Sequence, residues 1–169
     1  KAEYKNHYFS EICFDSSKCK KNYVFFAIKG NLYDGNKFIN NAIKNGAKII
    51  VSTLKFEGIK DNTLFIKTKN VRKLLSEFAY KINKKKPKNI IAVTGTNGKS
   101  SVADFYFQIL KLNKRKVATI GTLGIKTNSS TIKASNTTMD PIELSKVLRR
   151  LKEKNINNII LEASSHGLK

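Results

Sequence analysis

Residues 89–101, NIIAVTGTNGKSS, place an apolar run, a glycine-bearing turn and a Lys-Ser-Ser helix start in immediate succession, and a chain carrying that series has few folds open to it. Ile90, Ile91, Ala92 and Val93 read as a buried strand, and Val102, Phe105, Tyr106 and Ile109 recur at the spacing of an amphipathic helix. Gly95 and Gly98 let the turn close tightly with N–H groups pointing inward, while the first turn of the helix adds unpaired donors and a partial positive charge. That combination suits a phosphate. Gly95, Thr96, Asn97, Gly98, Lys99, Ser100 and Ser101 form the candidate loop, with Lys99 reaching the outer phosphates of a nucleotide and the Ser100 hydroxyl on Mg2+. The common spacing GxxxxGK[ST] calls for glycine at position 93, where this chain has Val93, so the loop is a shortened form. An ordinary strand-to-helix turn is the alternative for the loop taken alone.

Upstream, residues 11–15 and 23–28 read as strands, the second rich in aromatic and β-branched residues. Asp34 caps a helix carrying Phe38, Ala42 and Ile43, and Gly46 stops it. Strands follow at 47–52 and 63–67. Asn70 then caps a helix whose Val71, Leu74, Leu75, Phe78 and Ile82 form one apolar stripe. Residues 83–89, NKKKPKN, read as a linker, because a lysine run with Pro87 neither buries itself nor continues a helix. The expected organisation is α/β: a small N-terminal domain over 1–84, a linker at 85–88, and from 89–169 the first part of a parallel-sheet, phosphate-loop domain.

Downstream of the loop, the helix ends near Asn113 and a strand occupies 116–122. A long polar stretch runs to Asp140, which with Glu143 and Pro141 opens a helix burying Leu144, Val147, Leu148 and Leu151. A third strand covers 158–163. Strands joined through helices imply a parallel sheet with right-handed crossovers, whose ligands bind beyond the carboxyl ends of the strands. Glu162 closes an apolar strand on that rim, where a nucleotide-bound Mg2+ needs an oxygen ligand; an exposed strand-end glutamate is the alternative.

The formal charge of +21, from 33 Lys and Arg against 12 Asp and Glu, raises nucleic acid as a partner. The lysines are spread along the chain, and apart from Lys84-Lys85-Lys86 they form no block, so a solvated lysine surface is the favoured reading. Cys13 and Cys19 form no metal-binding spacing and are expected to be reduced, one of them packed in a strand. No apolar run approaches the ~20 residues needed to span a bilayer, which leaves a soluble cytoplasmic protein as the expectation. Neither His7 nor His166 acquires a role.

GTNGKSS at 95–101, NTTMDP at 136–141 and LEASSHGL at 161–168 together resemble the Mur ligases, and the resemblance extends upstream to Phe14-Asp15-Ser16 and to KGNLYDG at 29–35. The shortened phosphate loop is common to Mur ligases and folylpolyglutamate synthetases. Thr137-Thr138 and the Ser-Ser-His-Gly run after Glu162 are similar to the branch that adds the third amino acid of the peptidoglycan precursor. The resemblance implies an ATP- and Mg2+-dependent ligation in which a glutamate carboxylate of UDP-N-acetylmuramoyl-L-alanyl-D-glutamate becomes an acyl phosphate. A diamino acid, 2,6-diaminopimelate or lysine, then captures it. By matching motif positions, Lys99 and Glu162 would be catalytic, Ser100 and Glu162 would hold the metal, and Asn136, Thr137, Thr138 and Ser164 would bind the muramoyl peptide. Phe14, Ser16, Asn31, Leu32 and Tyr33 would hold the uridine end. The family's carbamylated lysine and C-terminal domain are not matched in the chain, which is therefore expected to be an inactive fragment of a ligase that is monomeric at full length and binds neither membrane nor nucleic acid. Other Mur-type ligases, such as folylpolyglutamate or cyanophycin synthetases, and a basic nucleic-acid-binding module remain the competing readings.

Overall fold

The computed structural model describes residues 8–30, 33–132 and 139–163. The chain divides into two compact units, residues 1–80 and 81–169. Both are mixed α/β, and among the described residues each holds a five-stranded sheet.

In the first unit, β1 (Glu11–Cys13), β2 (Tyr23–Phe26), α1 (Ile39–Lys44), β3 (Ala47–Ser52), β4 (Gly58–Lys60), β5 (Thr63–Lys67) and α2 (Val71–Ile82) follow in order. The sheet runs β1-β2-β3-β5-β4, parallel except for the β4–β5 hairpin. The expected strands and α2 are present, but β4 is additional: a three-residue, largely polar edge strand offers little apolar pattern to read. β2 is buried on both faces, as expected of a parallel strand covered by helices. Phe25 joins the cluster of Ile39, Ala42 and Ile50, whereas Phe26 packs edge-to-face on Phe78 of α2 at 5.7 Å. Each such ring contributes on the order of 1.5–3 kcal/mol by burial.

Asn70 caps α2 through a hydrogen bond from Lys73 N–H at 2.9 Å. Asp34 caps a 3-10 turn over Gly35–Phe38 that leads directly into α1, so the predicted helix is divided between two geometries. Cys13 and Cys19 are buried and joined as a disulfide with Cα atoms 6.1 Å apart, which corrects the expectation of reduced thiols. The strand end and the 3-10 turn over Ser16–Lys18 fold back on one another within six residues, and sequence spacing alone did not reveal that return.

The second unit comprises β6 (Asn89–Val93), α3 (Lys99–Leu112), β7 (Val117–Gly121), β8 (Gly124–Thr127), β9 (Thr131–Ile132), α4 (Pro141–Glu153) and β10 (Asn158–Glu162). Its sheet runs β6-β10-β7-β8-β9, with β10 parallel to both neighbours and β8 and β9 added as antiparallel strands. The polar stretch after β7 hid those last two strands. Asp140 caps α4 by accepting from the N–H groups of Ile142 and Glu143, both at 2.9 Å, with Pro141 next in the chain. Val147, Leu148 and Leu151 then join Ala118, Ile120 and Ile159 in the core, and Leu144 packs against them.

Two expectations about burial are overturned here. β6 is an edge strand of its sheet, pairing with β10 on one side and with no described strand on the other, and Ile90 and Ile91 are about two-fifths exposed. On α3 the buried residues are Ala103 and Phe107, one turn apart, whereas Val102, Phe105 and Ile109 are exposed. The apolar stripe read from spacing therefore faces outward. The proposed linker stretch is packed at two points. Asn83 is buried and donates to Ser145 Oγ at 2.9 Å, Pro87 is buried, and the three lysines between them are exposed. Among the described residues no helix is long and apolar enough to cross a membrane.

Candidate active site

The loop between β6 and α3 is exposed throughout, as a surface that receives a ligand must be. Gly98 stands at the helix N-cap with φ 79°, in the left-handed region, and no side chain caps the helix. An added Cβ would meet nothing within 4 Å, so glycine is required there by backbone conformation rather than by space. The first N–H groups of α3 are thus left to an anion. Lys99 Nζ donates to the carbonyls of Gly95 at 2.6 Å and Thr96 at 3.3 Å. To engage a phosphate above the loop it would exchange those carbonyls for phosphate oxygens.

Because β10 lies between β6 and β7, its last residue, Glu162, sits level with Val93, where the loop departs. Ser100 Oγ donates to Glu162 Oε2 at 2.9 Å, and Thr122 Oγ1 donates to the same oxygen at 3.1 Å. Gly121 makes this possible, since a Cβ there would lie 2.5 Å from both Cδ and Oε1 of the glutamate. Thr122 and Gly121 were not singled out from the sequence. Their signal was positional, since they close a strand on the rim that carries the loop.

A hydroxyl and a carboxylate in contact are hard oxygen donors of the kind Mg2+ takes. Among the described residues no group of three or more His, Cys, Asp or Glu could hold a metal unaided. A cation at Ser100 and Glu162 would therefore complete its shell with phosphate and water oxygens, as Mg2+ in nucleotide sites does. One turn along α3, Lys126 Nζ lies 2.8 Å from Asp104 Oδ1 and 4.5 Å from the centre of the Phe107 ring, fastening the helix to β8. Hydrogen bonds from Lys126 and then Gln108 lower the Asp104 pKa.

The first unit carries a cavity of about 640 Å3 lined by Phe14, Asp15, Ser16, Ile28, Gly30, Tyr33, Gly35, Phe38 and Arg72. Its rings are open to solvent, Tyr33 most of all at 73%. Asp15 caps the turn that follows Phe14, accepting from Ser17 N–H at 3.0 Å and Ser17 Oγ at 2.7 Å. The Ser17 hydroxyl bond is the main reason that the Asp15 pKa is lowered. Ser16 is buried, with Oγ accepting from Asn41 Nδ2 at 3.1 Å and its carbonyl from Asn45 Nδ2 at 2.8 Å, which ties it into the wall. Gly35 N–H donates to the Ile28 carbonyl at 2.9 Å, and a Cβ would come within 2.6 Å of Ile28 backbone atoms.

The structure thus gathers Phe14, Ser16 and Tyr33 around one cavity, and Lys99, Ser100 and Glu162 around one loop. Arg72 is an addition. Asn31, Leu32, Asn136, Thr137, Thr138 and Ser164, like His7 and His166, lie outside the described residues.

A parallel-containing sheet with a glycine loop leading into a helix, and a carboxylate on the adjacent strand end, is the architecture of the phosphate-loop α/β proteins. Family models narrow this class. Residues 8–82 match the Mur ligase family catalytic domain, and residues 93–169 match the Mur ligase middle domain. The chain belongs to the Mur ligase family.

Over 169 residues it is 41% identical to the UDP-N-acetylmuramoyl-L-alanyl-D-glutamate--2,6-diaminopimelate ligase of Rickettsia prowazekii, covering 98% of this chain and 35% of that protein. The enzyme of the same name from Clostridium tetani is 40% identical over 162 residues, covering 93% and 33%. The chain therefore spans about a third of the length of the curated relatives it matches. A solved structure of a ligase of that name is 27% identical with a TM-score of 0.77, covering 95% of this chain and 33% of the other. The MurF ligase of Thermotoga maritima in complex with ADP, at 22% identity and a TM-score of 0.58 over 95% of this chain and 33% of that one, shares the fold.

Proposed function

We propose that the chain supplies the nucleotide-sugar-binding and ATP-binding parts of an ATP-dependent ligase of peptidoglycan synthesis. That ligase joins 2,6-diaminopimelate to UDP-N-acetylmuramoyl-L-alanyl-D-glutamate. The observation that carries the chemistry is the meeting of Ser100 and Glu162 at the mouth of the phosphate loop, 2.9 Å apart. The similarity to diaminopimelate ligases along 98% of the chain supports the substrate class proposed.

In this reading the glutamate carboxylate of the substrate attacks the γ-phosphorus of ATP, ADP leaves, and the amine of the diamino acid displaces phosphate from the acyl phosphate to form the amide. In-line phosphoryl transfer depends mainly on positioning and charge neutralisation. The loop N–H groups and Lys99 hold the phosphates. Ser100 and Glu162 would hold Mg2+, which supplies charge neutralisation at the phosphate oxygens when bound. Gly121 and Thr122 act on Glu162, the first by leaving room for its carboxylate and the second by orienting it. Asn136, Thr137, Thr138 and Ser164 contact the muramoyl peptide. Phe14, Ser16, Asn31, Leu32 and Tyr33 belong to the uridine end, three of them lining the cavity.

The test is ADP release by the intact gene product. It should require both the UDP-N-acetylmuramoyl dipeptide and diaminopimelate, and the product should be the tripeptide. Turnover that ignores either substrate would overturn the proposal. The 169-residue chain alone should bind ATP with Mg2+ and form no tripeptide.

A further inference from the structure

We infer that Arg72 is the anion-binding residue of the cavity in the first unit, and that it holds the diphosphate of a uridine nucleotide whose base lies against Phe14 and Tyr33. The inference rests on the uridine-nucleotide reading above and adds to it a residue and a division of labour. Phe14, Tyr33 and Phe38 give the cavity exposed ring faces, and its volume of about 640 Å3 is in the range of small-molecule sites. Rings and glycine backbone can hold a base and sugar but cannot neutralise a charged ligand. Arg72 is the one cation among the described lining residues.

Its position is otherwise unfavourable. Arg72 is the second residue of α2, followed by Lys73, and the first turn contains no acidic residue. Positive side chains at a helix N-terminus oppose the helix dipole, so this helix start is arranged against its own stability. An anion placed there would reverse the sign of that interaction. Among the described residues no hydrogen bond or ion pair engages the Arg72 side chain. The carboxylate sharing the lining, Asp15, is already held by Ser17 N–H and Oγ, with Lys18 3.9 Å away. A planar guanidinium left available beside aromatic faces matches the paired oxygens of a diphosphate, which it can grip in two places at once.

The 169-residue chain, with ADP and Mg2+ present to fill the phosphate loop, can be titrated by calorimetry with uridine and with UDP. The unmodified chain should bind UDP at least about tenfold more tightly than uridine. Arg72→Gln should bring UDP down to the affinity of uridine and leave uridine unchanged, and Arg72→Lys, which keeps the charge without the fork, should recover part of the difference. Equal binding of UDP and uridine by the unmodified chain, or equal losses for both in Arg72→Gln, would overturn the role of Arg72 while sparing the uridine site. Binding of neither ligand would overturn the uridine-nucleotide reading, and Arg72's role with it.

Discussion

In the first unit the candidate ligand surface is made of side chains, with three aromatic rings and one guanidinium around a cavity whose backbone is occupied in holding the walls together. In the second unit the loop offers backbone N–H groups, and its side-chain contribution reduces to Lys99 and the three oxygen-bearing residues Ser100, Thr122 and Glu162. The contrast matters because a backbone site constrains residue types at fixed spacing, whereas a cavity tolerates many residues that supply the same shape. Recognition in the two units should therefore fail in different ways.

Lys99→Ala should break the comparison most sharply. Losing a charge-assisted contact to phosphate is expected to weaken ATP binding roughly ten- to hundredfold. UDP binding should not move, and calorimetry with each nucleotide measures both. A parallel fall in UDP affinity would mean that the two ligands share a site. Phe14→Ala is the reciprocal experiment. Removing one ring face should cost roughly 1 kcal/mol, about fivefold, in UDP affinity, with ATP unaffected.

Gly121→Ala sharpens the account of the second unit. The new methyl would meet the movable end of Glu162 rather than backbone, so the carboxylate should swing away from Ser100 and Thr122 at little cost to the fold. Mg2+-dependent ATP binding is expected to weaken about threefold, in line with the loss of about one ordinary hydrogen bond. The melting temperature should stay within about 4 °C. A large drop in melting temperature would instead identify Gly121 as a packing residue.

The smallest effect is that of acid. The pKa values of Asp15 in the first unit and Asp104 in the second are both lowered in the folded chain, by the Ser17 hydroxyl bond and by the Lys126 bond respectively. A depressed folded pKa contributes stability that is present above the unfolded carboxylate value of about 3.9 and lost as pH falls through the folded value. Both units should lose a little stability below about pH 4. Asp15→Asn should flatten that slope in thermal melts, and a rise in stability on acidification would contradict the sign.

What the sequence made legible follows the same division. The strand, turn and helix start around Gly98 could be read because a glycine turn between an apolar run and a helical pattern is a local signal, and Asn70 and Asp140 because caps are local. Arg72 and Phe38 could not be assigned to a cavity, since its walls come from segments dozens of residues apart. The outward turn of the apolar face of α3 is hidden from the sequence for a related reason. Helical spacing locates a stripe, but which side meets the sheet is set by the partners, and here Ala103 and Phe107 were chosen. The disulfide depended on a chain reversal that spacing does not encode.

The strand order of the second unit also has a consequence in time. β6 precedes β7 in the chain, yet the strand that pairs with both is β10, and Asn89 waits for Asn158. At ribosomal rates of about 5–20 residues per second, roughly 3–14 s separate the synthesis of these partners. During that interval the strand leading into the phosphate loop has its ladder groups unpaired and Ile90 and Ile91 uncovered, while the first unit already has every strand of its own sheet. The loop at the end of β6 therefore has no neighbouring strand to set it against until β10 has been made.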